Sequence, residues 1–228
     1  NRGAPPAQAS PRRGVRTPAE RELSSWGAHS SPRPRIEELR LNVAIAVSWW
    51  VLALVVVDFV SGLVHWAEDT FFDVSTPIVG PWIVAPNVLH HRDAAAFVKR
   101  GWFASNWDLT LAGVLIVLVA WACHALSGPV VLLAVVGAHA NQIHKWCHAP
   151  ASAPMLVKLL WKSGLLQRPA HHGGHHSGEK NTRYCVVTPF VNPVLDRLGF
   201  WRGLERVLVP LFGAPRREDL VKYRWYRP

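Results

Sequence analysis

The sequence predicts an all-α integral membrane protein in which about three spanning helices and further interfacial helices surround a histidine-rich site for two metal ions. Two observations support this fold class. Long apolar runs occupy much of the chain after Leu41, and histidines cluster just beyond the ends of those runs. A spanning helix needs about 20 mostly apolar residues, and imidazole is a good ligand for transition metals.

Residues 1–40 differ in composition from the rest of the chain. They are rich in Pro, Arg, Ala and Ser and contain almost no apolar run. Such a segment buries too little apolar surface to offset the entropy lost on ordering. We therefore expect a disordered basic tail over residues 1–40 and one membrane domain over residues 41–228. We do not expect the tail to be a signal peptide, because no apolar segment follows its charges directly.

The formal net charge is +10, which is typical of proteins that bind nucleic acid or an anionic membrane surface. The long apolar runs favour the membrane, so we expect a lipid bilayer as a partner and no nucleic acid. The three cysteines form no CxxC pair. They indicate neither a disulfide framework nor a thiolate-bound iron–sulfur cluster.

Three apolar segments are candidate spans. Leu41 to Val64 is long enough to cross a bilayer and has Asp58 as its only charge. Leu109 to Leu126 is a second candidate, and Pro129 to Ile143 is a shorter third. The turn at Ser127-Gly128-Pro129 joins the second and third candidates, so it predicts an antiparallel hairpin with both outer ends on one side of the membrane.

Two further apolar segments, Pro77 to Leu89 and Pro154 to Leu166, are too short to span and indicate interfacial or re-entrant helices. Tryptophans flank these segments, as in an aromatic belt: Trp82, Trp102, Trp107, Trp146 and Trp161. A globular protein with apolar core helices is the alternative. The length of the runs and the tryptophan flanks favour lipid.

Histidines of three motifs are spaced to share a metal. His144 and His148 form an HxxxH pair, which lies on one face of a helix. His172, His175 and His176 form an HxxHH motif. If this motif is helical, His172 is one turn from both of its partners, but the two intervening glycines weaken a helix, so a loop also fits.

Two more groups extend this pattern. His65 and Asp69 repeat the i, i+4 spacing with a carboxylate, and His90 and His91 stand just before Arg92. One metal ion with an open position needs only three or four protein ligands. Histidines in four groups therefore suit two ions, each with a position left for oxygen. Zinc hydrolases typically carry HExxH, which does not occur in this sequence.

A single histidine at a membrane interface is usually only a polar group that faces water, so the metal hypothesis depends on the four groups together. His29 lies in the basic tail, while His124 and His139 lie inside apolar runs. We expect none of these three to bind metal. His171 adjoins the HxxHH motif, and we leave it out of the site.

Four segments resemble the signatures of a known family. They are Asp58–Thr70, Asn141–His148, Arg168–His176 with the following Tyr184-Cys185, and Gly199–Glu205. In order and spacing they resemble the plasmanylethanolamine desaturases, including the myxobacterial light-response type. The plant chloroplast desaturases that act on phosphatidylglycerol form a more distant branch. The resemblance covers about residues 41–219.

The resemblance implies an oxygen-dependent, two-iron oxidoreductase that converts 1-O-alkyl ether phospholipids into the vinyl ethers of plasmalogens. It implies no catalytic side chain beyond the metal ligands. Carried over by motif, the implied ligands are His65, Asp69, His90, His91, His144, His148, His172, His175 and His176.

The expected partners are an ether phospholipid, O₂ and an electron donor. The sequence contains no GxGxxG, no CxxCH and no ferredoxin cysteine spacing. A separate donor, such as cytochrome b5 or ferredoxin, is therefore implied. One span before His65 places the N-terminus opposite the histidines, although basic residues occur on both sides. We expect the site to face the cytoplasm, where such donors are found, in the inner membrane of a bacterium or the endoplasmic reticulum of a eukaryote.

Three alternatives remain open at this point: an acyl-lipid desaturase, a membrane fatty-acid hydroxylase, and a membrane protein that binds metal without catalysis. Asp58 also has two interpretations. It precedes His65 by seven residues, nearly on the same helix face, so it could accept the second N–H of a histidine and fix its tautomer. It could equally cap or pair locally.

Overall fold

The computed structural model describes residues 33–177 and 180–213, in which the regular secondary structure is helical and no β-strand occurs. The all-α prediction is confirmed. Most of the predicted tail, residues 1–32, lies outside this part of the chain. The helices are α1 (Arg33–Thr70), α2 (Ala85–Arg92), α3 (Ala94–Lys99), α4 (Trp102–Ala122), α5 (Gly128–Ala138), α6 (Ala140–His148), α7 (Met155–Ser163), α8 (Pro169–His176), α9 (Val191–Arg197) and α10 (Phe200–Phe212).

Helices α1 and α4 are the two described helices that are long and apolar enough to cross a membrane. Helix α1 begins at Arg33, before the composition boundary at Leu41, and continues through the predicted span to Thr70. In each helix only 17% of the most apolar 18-residue window is buried. A core helix of a soluble protein would be mostly buried, so these exposed apolar faces suit contact with lipid.

Helices α4 and α5 form the predicted hairpin. They approach closely at Gly113, where an added Cβ atom would lie 3.0 Å from the carbonyl oxygen of Ala134. Helix α5 has only 11 residues, which is too short to span by itself. The predicted third span, Pro129 to Ile143, is therefore wrong as one continuous helix. It breaks at His139, whose Nδ1 atom lies 2.8 Å from the carbonyl oxygen of Val135.

The two short apolar segments are helical, as expected. A five-residue π-helical turn, Gly80–Val84, leads directly into α2. The second segment forms α7, which ends where Gly164 adopts a left-handed backbone conformation with φ of 76°. On α7 the apolar side chains of Met155, Leu156 and Leu159 are exposed, as expected for a helix at a membrane interface.

A segment without regular secondary structure, residues 182–188, runs beside α1. Its residues from Tyr184 to Thr188 are all buried. Tyr184 and Cys185 pack with Trp66 and Trp201. Val186 and Val187 pack with Ala140 and Ile143. The segment thus joins the end of α1 and α10 on one side to α6 on the other.

Candidate metal centre

The nine side chains implied as metal ligands meet in two adjacent clusters at the end of α1. The five-histidine cluster comprises His90, His144, His148, His172 and His176. The aspartate cluster comprises His65, Asp69, His91 and His175. Within each cluster, one ligand atom of every residue lies within 4.8 Å of all the others.

In the five-histidine cluster, four Nε2 atoms crowd around one point. The Nε2 atom of His172 lies 2.8 Å from that of His144, 3.0 Å from that of His148 and 2.9 Å from that of His176. The Nε2 atoms of His144 and His148 are 3.2 Å apart. Two ligand atoms that each lie about 2.1 Å from one metal ion are separated by about 3 Å. The spacing of these nitrogens therefore fits a shared ion.

In the aspartate cluster, three imidazoles surround one carboxylate. The Oδ1 atom of Asp69 is 3.0 Å from His91 Nε2. Its Oδ2 atom is 3.3 Å from His175 Nε2 and 3.7 Å from His65 Nε2. Imidazole with carboxylate is the donor set of many non-haem iron sites.

The clusters are assembled from pairs of residues one helical turn apart. His65 and Asp69 on α1 serve the aspartate cluster. His144 and His148 on α6 serve the five-histidine cluster, and so do His172 and His176 on α8. The dipeptides His90-His91 and His175-His176 divide differently, because each contributes one histidine to each cluster.

Backbone carbonyl groups orient three of the rings. His65 Nδ1 is 3.1 Å from the carbonyl oxygen of Tyr184, and His175 Nδ1 is 2.7 Å from that of Thr182. His90 Nδ1 contacts the carbonyl oxygen of Asn87. A carbonyl oxygen can only accept, so each Nδ1 atom carries the hydrogen and the Nε2 lone pair is free for a metal.

Six buried polar atoms in the clusters have no hydrogen-bond partner among the described residues. They include His65 Nε2, His90 Nε2, His175 Nε2 and Asp69 Oδ2. Unpaired buried polar atoms are costly, and an ion that they bind would remove this cost. The two clusters therefore fit metal ions.

Burial also favours the neutral form of four rings in the five-histidine cluster, as metal binding requires. Burial, together with the charge of neighbouring histidines, lowers the pKa values of His90, His144 and His172 well below the usual value. In the same way it lowers the pKa of His148 to about 4. Neutral imidazoles offer lone pairs near neutral pH.

Histidines that we left out of the site lie outside both clusters. The Nε2 atom of His171 accepts from Asn192 Nδ2 at 3.3 Å. His124 is exposed at the end of α4, and His139 lies at the break between α5 and α6. His29 lies outside the described residues.

Asp58 does not contact a histidine, so the interpretation that it fixes a tautomer directly is wrong. Its Oδ1 atom accepts from the backbone N–H of Val187 at 2.8 Å, and its Oδ2 atom accepts from the hydroxyl of Thr188 at 2.6 Å. The carbonyl of Tyr184 orients His65 instead. A backbone carbonyl contributed by a distant segment leaves no signal in the sequence of α1.

Asn87 is a further residue that sequence reasoning missed. Its Nδ2 atom donates to Asp69 Oδ1 at 2.6 Å, and it is buried. This bond orients the carboxylate of the aspartate cluster. The sequence offered a weak signal, because Asn87 precedes His90 by about one helical turn.

An apolar slot of about 420 Å³ leads to both clusters. Its walls come from α1, α4 and α5, with Val57, Val60 and Val64 along α1 and Gly137 on α5. At its polar end the slot is lined by His65, His144, Glu68, Asn87 and Asn141. His65 belongs to one cluster and His144 to the other, so an apolar chain in the slot would end beside both.

A helical membrane protein with a buried histidine-rich centre at the end of an apolar slot is the class that this fold and site define. Residues 54–219 match the family model described as the lipid desaturase domain. The chain belongs to this family of metal-dependent oxidoreductases.

Similar proteins agree with this assignment. The chain is 33% identical to plasmanylethanolamine desaturase 1 of Mus musculus over 190 residues, which cover 76% of this chain and 68% of that protein. It is 32% identical to plasmanylethanolamine desaturase of Myxococcus xanthus over 189 residues, 77% of this chain and 66% of that protein. It is 35% identical to fatty acid desaturase 4 of Arabidopsis thaliana over 169 residues, 72% of this chain and 51% of that protein. No solved structure matches the chain.

Proposed function

We propose that this protein is an oxygen-dependent, two-iron desaturase that converts the 1-O-alkyl chain of an ether phospholipid into a vinyl ether. The five-histidine cluster and the aspartate cluster would each hold one iron ion. The observation that carries the proposal is the slot, because its polar end is lined by His65 from one cluster and His144 from the other. A chain in the slot would present the bond nearest its polar end to both.

The reaction has a simple balance. One O₂, two electrons and two protons combine with two hydrogen atoms from neighbouring carbons of the chain, giving one double bond and two molecules of water. The bound irons would supply the activation of O₂. The electrons would come from a separate donor protein, such as cytochrome b5 or ferredoxin, on the cytoplasmic side of the membrane.

The protein's own residues would position the alkyl chain and the metal-binding side chains, and they would keep water out of the site. The apolar side chains of the slot hold the alkyl chain and exclude water. The carbonyl groups of Tyr184 and Thr182 fix the rings of His65 and His175, and Asn87 fixes Asp69. A site held in this way reacts without having to reorganise its ligands.

The test is lipid analysis of a host that lacks plasmalogens, expresses this chain and is fed an alkyl ether lipid. We expect vinyl-ether phospholipid to accumulate, and purified protein to contain about two irons per chain, since one ion needs only three or four protein ligands. Protein with the His172→Ala substitution is the negative control. Ether lipid returned unchanged by a folded, iron-loaded protein would contradict the proposal.

An acyl-lipid desaturase is the second candidate, favoured by the likeness to the plant fatty acid desaturase. The same lipid analysis separates the two functions, because a new double bond would then appear in an ester-linked acyl chain. A new alcohol would instead indicate a hydroxylase. Bound metal with no oxygen consumption would indicate a protein that binds metal without catalysis.

A further inference from the structure

Segment 182–188 bonds to two metal-binding side chains, and both belong to the same cluster. Its carbonyl groups at Tyr184 and Thr182 accept from His65 and His175, two of the four members of the aspartate cluster. His90, in the five-histidine cluster, is oriented from within its own helix by Asn87. The segment therefore orients rings of the aspartate cluster, whereas His90 of the five-histidine cluster is oriented without it.

The segment has no helix or strand of its own to hold it, so side chains anchor its backbone. Asp58 accepts from Val187 N–H and the Thr188 hydroxyl, and the Ser61 hydroxyl lies 3.2 Å from the backbone nitrogen of Val186. Asn192 clamps Cys185 from the other side, accepting from its N–H at 2.9 Å and donating to its carbonyl oxygen at 2.8 Å.

Two of these anchors lie on α1, the helix that carries His65 and Asp69. Asp58 is fully buried, at 0% exposure. A carboxylate in such a place is costly unless it is well paired. Its two short bonds to the segment satisfy it, and they tie the carbonyl groups of the segment to the helix that bears the ligands.

Gly62 allows the segment to approach α1. A Cβ atom at this position would lie 2.5 Å from the Cys185 sulfur, 3.0 Å from its backbone nitrogen and 3.1 Å from its Cα atom. A side chain here would push the backbone away from the helix. The contact at Cys185 is next to the Tyr184 carbonyl that orients His65.

We propose that segment 182–188 positions the histidines that would hold the metal of the aspartate cluster, and of that cluster alone. Asp58 and Asn192 anchor the segment, and Gly62 leaves room for it beside α1. The proposal rests on the two-iron function above. Loosening the segment frees the rings of His65 and His175, so one of the two metals is held more weakly. The five-histidine cluster keeps its own metal.

The test compares Gly62→Ala with Gly203→Ala. Both exchange glycine for alanine inside a helix, so the gain in helix propensity is common to both. An added Cβ atom meets nothing within 4 Å at Gly203. Metal-free protein in detergent is titrated with Fe²⁺ without oxygen. We expect Gly62→Ala to weaken the binding of one equivalent of Fe²⁺ by about 10–100-fold, which is typical when a ligand loses its orienting partner. The binding of the other equivalent should not change. Gly203→Ala should titrate like the wild type.

Equal weakening of both equivalents, or no change, would overturn the proposal. Asp58→Asn and Asn192→Leu repeat the test without adding a non-hydrogen atom to the side chain, and they are used if Gly62→Ala does not fold. Asp58→Asn keeps one acceptor oxygen, and Asn192→Leu removes the clamp on Cys185.

A second readout needs no metal, so it separates this proposal from the two-iron function. Nitrogen-15 chemical shifts of labelled histidine distinguish the Nδ1–H and Nε2–H tautomers. In metal-free wild type, His65 and His175 should be Nδ1–H, and Gly62→Ala should lose this preference. Unchanged tautomers in Gly62→Ala would refute the role of the segment. A wild type that fails to bind two equivalents of Fe²⁺, with the tautomers behaving as expected, would refute only the two-iron function.

Discussion

The orientation of each histidine ring depends on which group accepts a hydrogen bond from its Nδ1 atom, the nitrogen that does not face the cluster. The i, i+4 spacing predicted that His144 and His148 share a helix face, and their Nε2 atoms do lie 3.2 Å apart. The spacing did not reveal the acceptors, because Tyr184 lies 119 residues after His65 and Thr182 lies beyond the end of α8, seven residues after His175. Local periodicity predicts which residues share a face, whereas long-range carbonyl contacts depend on the tertiary fold.

Replacing His148 by Ala should abolish desaturation, because an imidazole is lost from the five-histidine cluster. We expect activity to fall by at least about 100-fold. The control is His139→Ala, which removes an exposed histidine outside both clusters and should leave most activity. The measurement is vinyl-ether lipid formed per unit of folded protein. Equal losses in both variants would show that the ligand assignment is wrong.

His171→Ala should keep most activity, although His171 adjoins the HxxHH motif. Its Nε2 atom bonds to Asn192 and is absent from both clusters. His172→Ala, one residue further along the same helix, is the matched comparison and should be inactive. Iron content is measured beside activity in both proteins. Loss of iron in His171→Ala would place this residue among the ligands.

At the scale of helices, the sequence predicted the hairpin of α4 and α5 from its turn residues but not the break at His139. His139 lies between two alanines, which are good helix formers, so helix propensity gives no boundary at that position. After the break a new helix, α6, begins just before His144 and His148. If α5 continued without a break, the orientation of the hairpin would also determine where these two histidines point. The break makes the two orientations independent.

Gly137 on α5 should control the length of alkyl chain that the slot accepts. It lines the slot, and an added Cβ atom would lie 3.4 Å from Cγ2 of Val57 on α1. We expect Gly137→Leu to fill the slot and lower kcat/KM for long alkyl chains by about 10-fold or more, with a smaller effect on short chains. Gly137→Ala should have a slight effect.

The control for Gly137 is Val135→Leu, a change at a residue of α5 that is 52% exposed. Iron content should be the same in all of these proteins, because none of the substitutions touches a cluster. An unchanged chain-length profile in Gly137→Leu would mean that the alkyl chain binds elsewhere.

At the scale of the whole molecule, residues of both clusters come from the end of α1, from α2, from α6 and from α8. All of these must lie on one side of the membrane, and the tip of the α4–α5 hairpin must lie on the other. The sequence predicted this arrangement because it placed histidines at the ends of apolar runs. How these nine side chains divide between two clusters was not predictable, since chain neighbours such as His90 and His91 belong to different clusters.

Labelling of single cysteines should test this topology. Ser75, Ser177 and Ser127 are exposed, and each is changed to Cys in a chain whose exposed Cys123 is replaced by Ser. We expect a membrane-impermeant reagent to reach Ser75→Cys and Ser177→Cys from one face and Ser127→Cys from the opposite face. Labelling of the first two positions from different faces would contradict a single shared site.

Two of the HH dipeptides, His90-His91 and His175-His176, connect the two clusters through a single peptide bond each. His90 and His91 belong to different clusters, and so do His175 and His176. Consecutive Cα atoms are always about 3.8 Å apart, so peptide geometry itself limits how far the two metal positions can separate. Side-chain packing can relax and helices can shift, but this distance cannot stretch. The backbone therefore limits the distance between the two clusters at two places, on the separate helices α2 and α8.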